Sequence, residues 1–219
     1  MTPEQLTGLT DTHLCSERRL HPAAADALDA MIQAARDEGI EITVASGFRD
    51  FFRQQAIWDG KFTGQRTVLD SQSRPIDPLQ LTEVERMHTL LRWSAIPGTS
   101  RHHWGTDIDL YSKPLLPEGV QLALEPWEYL EGGHQYPLYH WLQVNAQRFG
   151  FFFPYAKDQG GVSAEPWHLS FRPISEICSR ELTPEVVRAA LINNQVAGHH
   201  TLDTHLDAIF LRYIHNICN

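Results

Sequence analysis

The chain has 219 residues, 42% of them hydrophobic, enough to bury a core of its own. Its 18 Lys and Arg stand against 27 Asp and Glu, a net charge of −9. That balance argues against binding nucleic acid or an anionic lipid surface through bulk electrostatics.

Residues 1–20 are acidic and polar and lack the apolar segment of a secretory signal. No stretch is apolar for long enough to span a bilayer. This favours a cytoplasmic location, with the periplasm or cell envelope as the alternative if a signal has been removed. Cys15, Cys178 and Cys218 are scattered and form no CxxC pair. They read neither as a thiolate metal site nor as a disulfide framework.

His21 to Gly39 has the pattern of a helix: Pro22 suits a first turn, and Leu28, Met31, Ile32 and Ala35 recur at helical spacing. Ile40 to Ala45 alternates apolar and polar, as a half-buried strand does. Asp50 is placed to cap a helix through about Trp58. Thr63 to Asp77 reads as a polar loop. Thr82 opens a second helix to about Trp93, with Glu85 at capping-box distance. Thr106 to Tyr111 reads as a strand, and 114–133, with three prolines and three glycines, as a surface insertion. An aromatic-rich helix from Pro137 ends at Gly150. Phe151 to Phe153 begins a buried strand or a turn, Lys157 to Ala164 is a loop, and Trp167 to Phe171 is strand-like. Thr183-Pro184 opens a tail helix. A further helix from about Thr201 carries Leu202, Leu206, Ile209, Tyr213 and Ile217 on one face. The expected fold is α+β, a central and mostly antiparallel sheet flanked by helices, with a C-terminal helical hairpin. Residues 1–180 form the main domain and 181–219 a helical extension packed on it.

The chemistry concentrates in Ser100-Arg101-His102-His103-Trp104-Gly105-Thr106-Asp107-Ile108-Asp109 and Glu165-Pro166-Trp167-His168. His102, Asp109 and His168 offer two imidazoles and a carboxylate to one metal ion and leave a position open, the arrangement of a catalytic zinc site. Gly105 permits the backbone angle that brings His102 back toward Asp109. Glu165 is the spare carboxylate that a metallohydrolase needs to take a proton from water. Pro166 argues against a helical HExxH motif and for an extended approach to His168. Asp107 shares a strand face with Asp109, either supporting a ligand or competing as one. Any one of the 12 histidines alone is more commonly a surface or core residue; the two segments together carry the signal.

These segments, with Ser46-Gly47-Phe48-Arg49 and Gln54 upstream, closely resemble the zinc D-alanyl-D-alanine carboxypeptidases of the VanY type, the LAS-type metallopeptidases of the hedgehog/DD-peptidase fold. The match runs from about Ile40 to Phe171 in the family's order. The resemblance implies one Zn2+ on His102, Asp109 and His168. Glu165 would then be general base and later general acid, Arg49 would stabilise the oxyanion, and Ser100 and Gln54 would contact the peptide or its terminal carboxylate. The local alternatives are an ion pair of Arg49 with an acid such as Asp50, and turn or cap hydrogen bonds for Ser100 and Gln54. Asp107 and Phe48 depart from the pattern, where members carry alanine and tyrosine; Asp107 either alters ligand geometry or orients His102. Trp104, Trp127 and Trp141 are candidate lining residues.

The implied activity is removal of a C-terminal D-alanine, across a DD- or LD-bond, from a peptidoglycan stem peptide or muropeptide. The absence of a signal segment tilts the substrate toward soluble fragments such as recycled stem peptides. Alternatives are a peptidoglycan endopeptidase, a zinc-stabilised module that binds cell-wall peptide without hydrolysis, and a plain α+β domain without metal.

Overall fold

Residues 1–70 and 73–218 are described, in a computed structural model. The chain opens with α1 (Pro3–Leu6), capped by Thr2, and α2 (Pro22–Asp37), whose Leu28, Met31 and Ala35 are fully buried. The strand β1 (Thr43–Ser46) starts later than the alternation from Ile40 predicts. The Ile40 amide donates to the Ala35 carbonyl at 2.8 Å, past Gly39 at φ 80°, so Ile40 closes the helix end.

Asp50 caps α3 (Phe51–Phe62) through the Arg53 amide. This helix runs beyond Trp58 because Trp58 and Phe62, one turn apart, are both buried. The expected loop after it contains a short antiparallel hairpin, β2 (Val68–Leu69) with β3 (Pro75–Ile76); Ser71 and Gln72 of that loop lie outside the described residues. Helix α4 (Glu83–Leu91) starts with the Thr82–Glu85 capping box. After it come β4 (Asp107–Tyr111), α5 (Pro126–Tyr129), α6 (Tyr136–Asn145), β5 (Phe151–Phe152) and β6 (His168–Phe171). The tail is α7 (Arg172–Glu181), α8 (Pro184–Asn193), α9 (His199–Thr204) and α10 (Leu206–Ile209).

The segment 114–133 lies mostly at the surface, as expected, but it is anchored: Tyr129 and Glu128 are fully buried, the Tyr129 hydroxyl donates to the Leu110 carbonyl at 2.8 Å, and the Glu128 carboxylate accepts from the amides of Ala123 and Glu125. One expectation is corrected here. The last predicted helix is broken at His205 and continues as a π turn over Phe210–Ile214, leaving Ile217 outside it. The break re-registers the stripe so that Phe210 and Ile214 are buried together with Leu202, Leu206, Ile209 and Tyr213.

The main sheet is antiparallel throughout, in the order β1-β4-β6-β5. Both central strands alternate. Ile108 and Leu110 of β4, with Leu169 and Phe171 of β6, join the apolar core formed with α2 and α6. Asp107, Asp109, His168 and Ser170 occupy the opposite face, as a side-chain period of two requires. A second apolar core gathers α3, α4, Trp104 and the tail helices, with Phe51, Trp58, Met87, Leu191 and Leu206 in one cluster. The polar sheet face opens beside this second core.

Candidate active site

The antiparallel register pairs Ser46 with Asp109 and Asp109 with His168, so three strands set Ser46, Asp109 and His168 in one row. His102 arrives from a 3-10 turn over Arg101–Trp104. That turn ends at Gly105, whose φ of 67° lies in the left-handed region. A side chain at this glycine would put Cβ 2.4 Å from Leu14 Cδ2 and 2.8 Å from the His21 backbone nitrogen. The chain reverses there, and the His102 and His168 rings meet edge to face with centroids 4.9 Å apart.

His102, Asp109 and His168 are all buried and offer ligand atoms within 4.8 Å of one another. Their hydrogen bonds suit a metal. The His102 Nδ1–H donates to the Gly47 carbonyl at 2.8 Å, which directs Nε2 toward Asp109 Oδ2, 3.4 Å away. His168 turns Nδ1 toward Asp109 Oδ1 at 3.1 Å and gives Nε2 to Asp107 Oδ1 at 2.9 Å. A ring nitrogen tied to a carbonyl or carboxylate while the other faces a carboxylate cluster is the support that metal-binding histidines receive. Despite their burial, both carboxylates stay well below the usual range, Asp109 through the two imidazoles and Asp107 chiefly through Arg101 and then His168. The donor set, two imidazoles and an ionised carboxylate, fits a borderline cation such as Zn2+.

Asp107 therefore does not orient His102; it holds His168 from behind. It is itself fixed by Arg101 Nε at 2.8 Å, Thr106 Oγ1 at 2.6 Å and Ser170 Oγ at 3.0 Å, all of them buried.

Glu165 Oε2 lies 3.5 Å from His168 Nδ1. Its amide donates to the Tyr155 carbonyl and its carbonyl accepts from the His168 amide, which fixes the short turn through Pro166. Burial pushes its carboxyl up to about 7. Arg49 Nη2 stands 4.0 Å from Asp109 Oδ2 and donates to Ser46 Oγ, while Nη1 donates to Gln54 Oε1 at 2.9 Å. Its partner across the site is thus Asp109 rather than the neighbouring Asp50, which is occupied in capping α3.

Arg49, His102, Asp109, Glu165 and His168 line one cavity of about 380 Å³. Ser100 is in its wall. Gln54 is not: it is buried behind Arg49, and its amide nitrogen is bonded to the Ala95 carbonyl at 2.6 Å. The expectation that Gln54 meets the peptide gives way to a supporting position. Trp104 and Trp141 are packed in the two cores and Trp127 is exposed; Trp93 and Trp167 line the cavity instead. The residues that sequence reasoning missed are Lys61, Ser94 and Tyr155, whose ring centroid is 5.1 Å from that of His168. Thr67, Leu69 and Ala123 to Glu125 also line it, and Ser73 Oγ donates to Glu125 Oε2 at 3.1 Å.

An ionised donor triad with an opening beside it, a buried carboxyl shifted toward neutrality and a fixed guanidinium place the chain among the metallopeptidases. The family model for VanY, D-alanyl-D-alanine carboxypeptidase, matches residues 17–174, well over half of the sequence, and the chain belongs to that family. It is 31% identical over 156 residues to a D-alanyl-D-alanine carboxypeptidase of Enterococcus faecalis. That alignment takes in 70% of this chain and 47% of the relative, so the chain spans about half of that protein.

Among solved structures it is similar to a variant of the vancomycin-resistance D,D-pentapeptidase VanY in complex with Zn(II), with TM-score 0.50, 27% identity, and 74% and 76% of the two chains covered. It is similar also to the LdcB LD-carboxypeptidase, with TM-score 0.51, 27% identity, and 77% and 68% covered. The protein is a metallo-carboxypeptidase of the peptidoglycan-related kind.

Proposed function

We propose that this chain removes a C-terminal D-alanine from a peptidoglycan stem peptide, across a DD- or LD-bond, with one Zn2+ held by His102, Asp109 and His168. The observation that carries the reading is Glu165, a carboxyl only 14% exposed and pushed up to about 7 by desolvation, set 3.5 Å from His168 Nδ1. Bound zinc would polarise the scissile carbonyl and acidify a water molecule. Glu165 takes the proton from the attacking water and returns it to the leaving amine, work suited to a carboxyl poised near neutrality. Arg49, braced by Ser46 and Gln54, presents a fixed guanidinium to the oxyanion. Ser100 faces the peptide from the cavity wall. A pure binding module has no need of Glu165 and Arg49 in these positions. The enterococcal relative's name and the Zn(II) complex of VanY support the bond class and the metal.

The test uses zinc-loaded protein and defined tri-, tetra- and pentapeptide stems, with products read by mass spectrometry. Release of D-alanine from the pentapeptide marks a DD-bond, and from the tetrapeptide an LD-bond. Glu165→Gln is expected to abolish turnover, a loss of at least about 10²-fold, while one zinc per chain stays bound. Full activity in that variant sinks the mechanism, and cleavage of cross-linked dimers alone reassigns the enzyme as an endopeptidase.

A further inference from the structure

Besides Arg49 and Arg101 the cavity wall holds a third cation, Lys61, to which the mechanism above gives no role. Lys61 lies two turns beyond Gln54 on the same stripe of α3, about 10 Å further along the helix. Its long side chain leans back toward the helix N-terminus and into the cavity wall. There Nζ donates to Ser94 Oγ at 2.7 Å.

Ser94 precedes Ala95, whose carbonyl is tied through Gln54 to Arg49. Ammonium and guanidinium are therefore mounted on one continuous wall, with the carboxylates of Asp109 and Glu165 elsewhere in the same cavity. Other buried or half-buried cations have settled partners: Arg101 has Asp107, Arg92 has Asp158, Arg49 has Asp109, and Arg86 has three backbone carbonyls. Among the described residues Lys61 has no ion pair: Nζ meets the Ser94 hydroxyl, and the nearest carboxylate to act on it, Glu165, does so from farther across the cavity. A charge taken from water without a counter-ion is costly, and a ligand of opposite sign relieves that cost. Burial first, then the charges of Arg49 and Arg66, hold its pKa below the ordinary lysine value, with Glu165 opposing them only in part.

We propose that Lys61 and Ser94 form a carboxylate subsite, in which the ammonium receives a carboxylate of the bound peptide, either that of its C-terminus or that of an acidic side chain beside the scissile bond. The proposal rests on the peptidase reading above and adds a residue that sets specificity. The anion would complete the wall: Ser94 steers the ammonium, and Lys61 discriminates between a charged and an amidated substrate.

The experiment compares wild type, Lys61→Met and Lys61→Arg, all zinc-loaded, on three stem tetrapeptides: the free acid, its C-terminal amide, and one with the acidic side chain next to the scissile bond amidated. For Lys61→Met on the free acid, KM should rise on the order of 10–100-fold with kcat nearly unchanged, the worth of a charge-assisted hydrogen bond. Lys61→Arg should recover part of that. Whichever amidated peptide lacks the recognised carboxylate should be handled equally by wild type and Lys61→Met, which identifies the carboxylate and shows that the variant is folded. A uniform rise in KM on all three peptides, or none, overturns the subsite. If wild type cleaves none of these tetrapeptides, calorimetric binding of the same peptides decides the subsite: loss in Lys61→Met of the preference for acid over amide supports it, and equal or absent binding overturns it; the hydrolase reading falls only if the pentapeptide is left intact as well.

Discussion

Asp107 shows how one side chain is placed to act through another. It never reaches the open side of the triad, because His168 stands in between and gives Asp107 its Nε2–H at 2.9 Å. Deleting the acceptor frees the imidazole to rotate and to choose the other tautomer. Asp107→Ala is expected to weaken zinc binding on the order of 10–100-fold, measured by competition with a chelator of known affinity. It also leaves Arg101 buried without its acid, at a cost on the order of 3 kcal/mol in denaturant unfolding. Asp107→Asn keeps an acceptor for Nε2–H and should recover most of the metal affinity but little of the stability. Equal zinc affinity in all three proteins would mean that His168 is held by packing alone.

At the scale of elements, the site depends on two alternating strands and one turn. In β4 and β6 every second residue is apolar, so the same ladder that buries Ile108, Leu110 and Leu169 lifts Asp107, Asp109 and His168 to the other face. A register slip of one residue would exchange the faces, and burial of the apolar set forbids it. The turn at Gly105 then delivers His102. Gly105→Ala forces a side chain into a left-handed backbone and against the His21 nitrogen. It should cost at least about 2 kcal/mol, a fall in Tm of roughly 5 °C for a chain of this size. Thermal unfolding with and without zinc checks it: the stabilisation by zinc should shrink, because the displaced turn carries a proposed ligand.

These elements were largely legible. The Asp50 and Thr82 caps and the helix end at Gly150 follow from local pattern, and the grouping of His102, Asp109 and His168 from ligand types in two segments together with the family resemblance. The hairpin at Val68–Ile76 and the helix α7 left weak signals, one for being two residues wide and the other for following directly on a strand without a turn.

The whole molecule holds two apolar cores with the polar sheet face beside them, and the tail beyond the family match serves the second core. It also clamps α3. Trp58 Nε1 donates to the Ala197 carbonyl, Gln55 Nε2 to that of Asn194, and Asp59 accepts from the Ala197 amide. Gln54 and Lys61 ride on that helix, so the tail sets the cavity wall without touching it. Leu206→Ala, at a fully buried position, should cost about 2–5 kcal/mol and give a single unfolding transition by fluorescence and circular dichroism alike. Two separated transitions would show that the tail folds apart from α3.

The sequence by itself determined the α+β class, the main strands and helices, and the residues grouped around the metal position. The elements are written in local chemistry, in periodicity, caps and a glycine turn, whereas the grouping of His168 with the distant His102 and Asp109 came from ligand types in two segments and from the family resemblance. Only the tertiary structure decided that Asp107 serves His168, that Gln54 stands behind Arg49, that Ala123 to Glu125 line the cavity, and that Lys61 meets Ser94 in its wall. Those relations join residues from separate elements, and their direction is set by the packing of α3 and the tail against the second core. No local pattern encodes which side of a buried side chain faces the cavity.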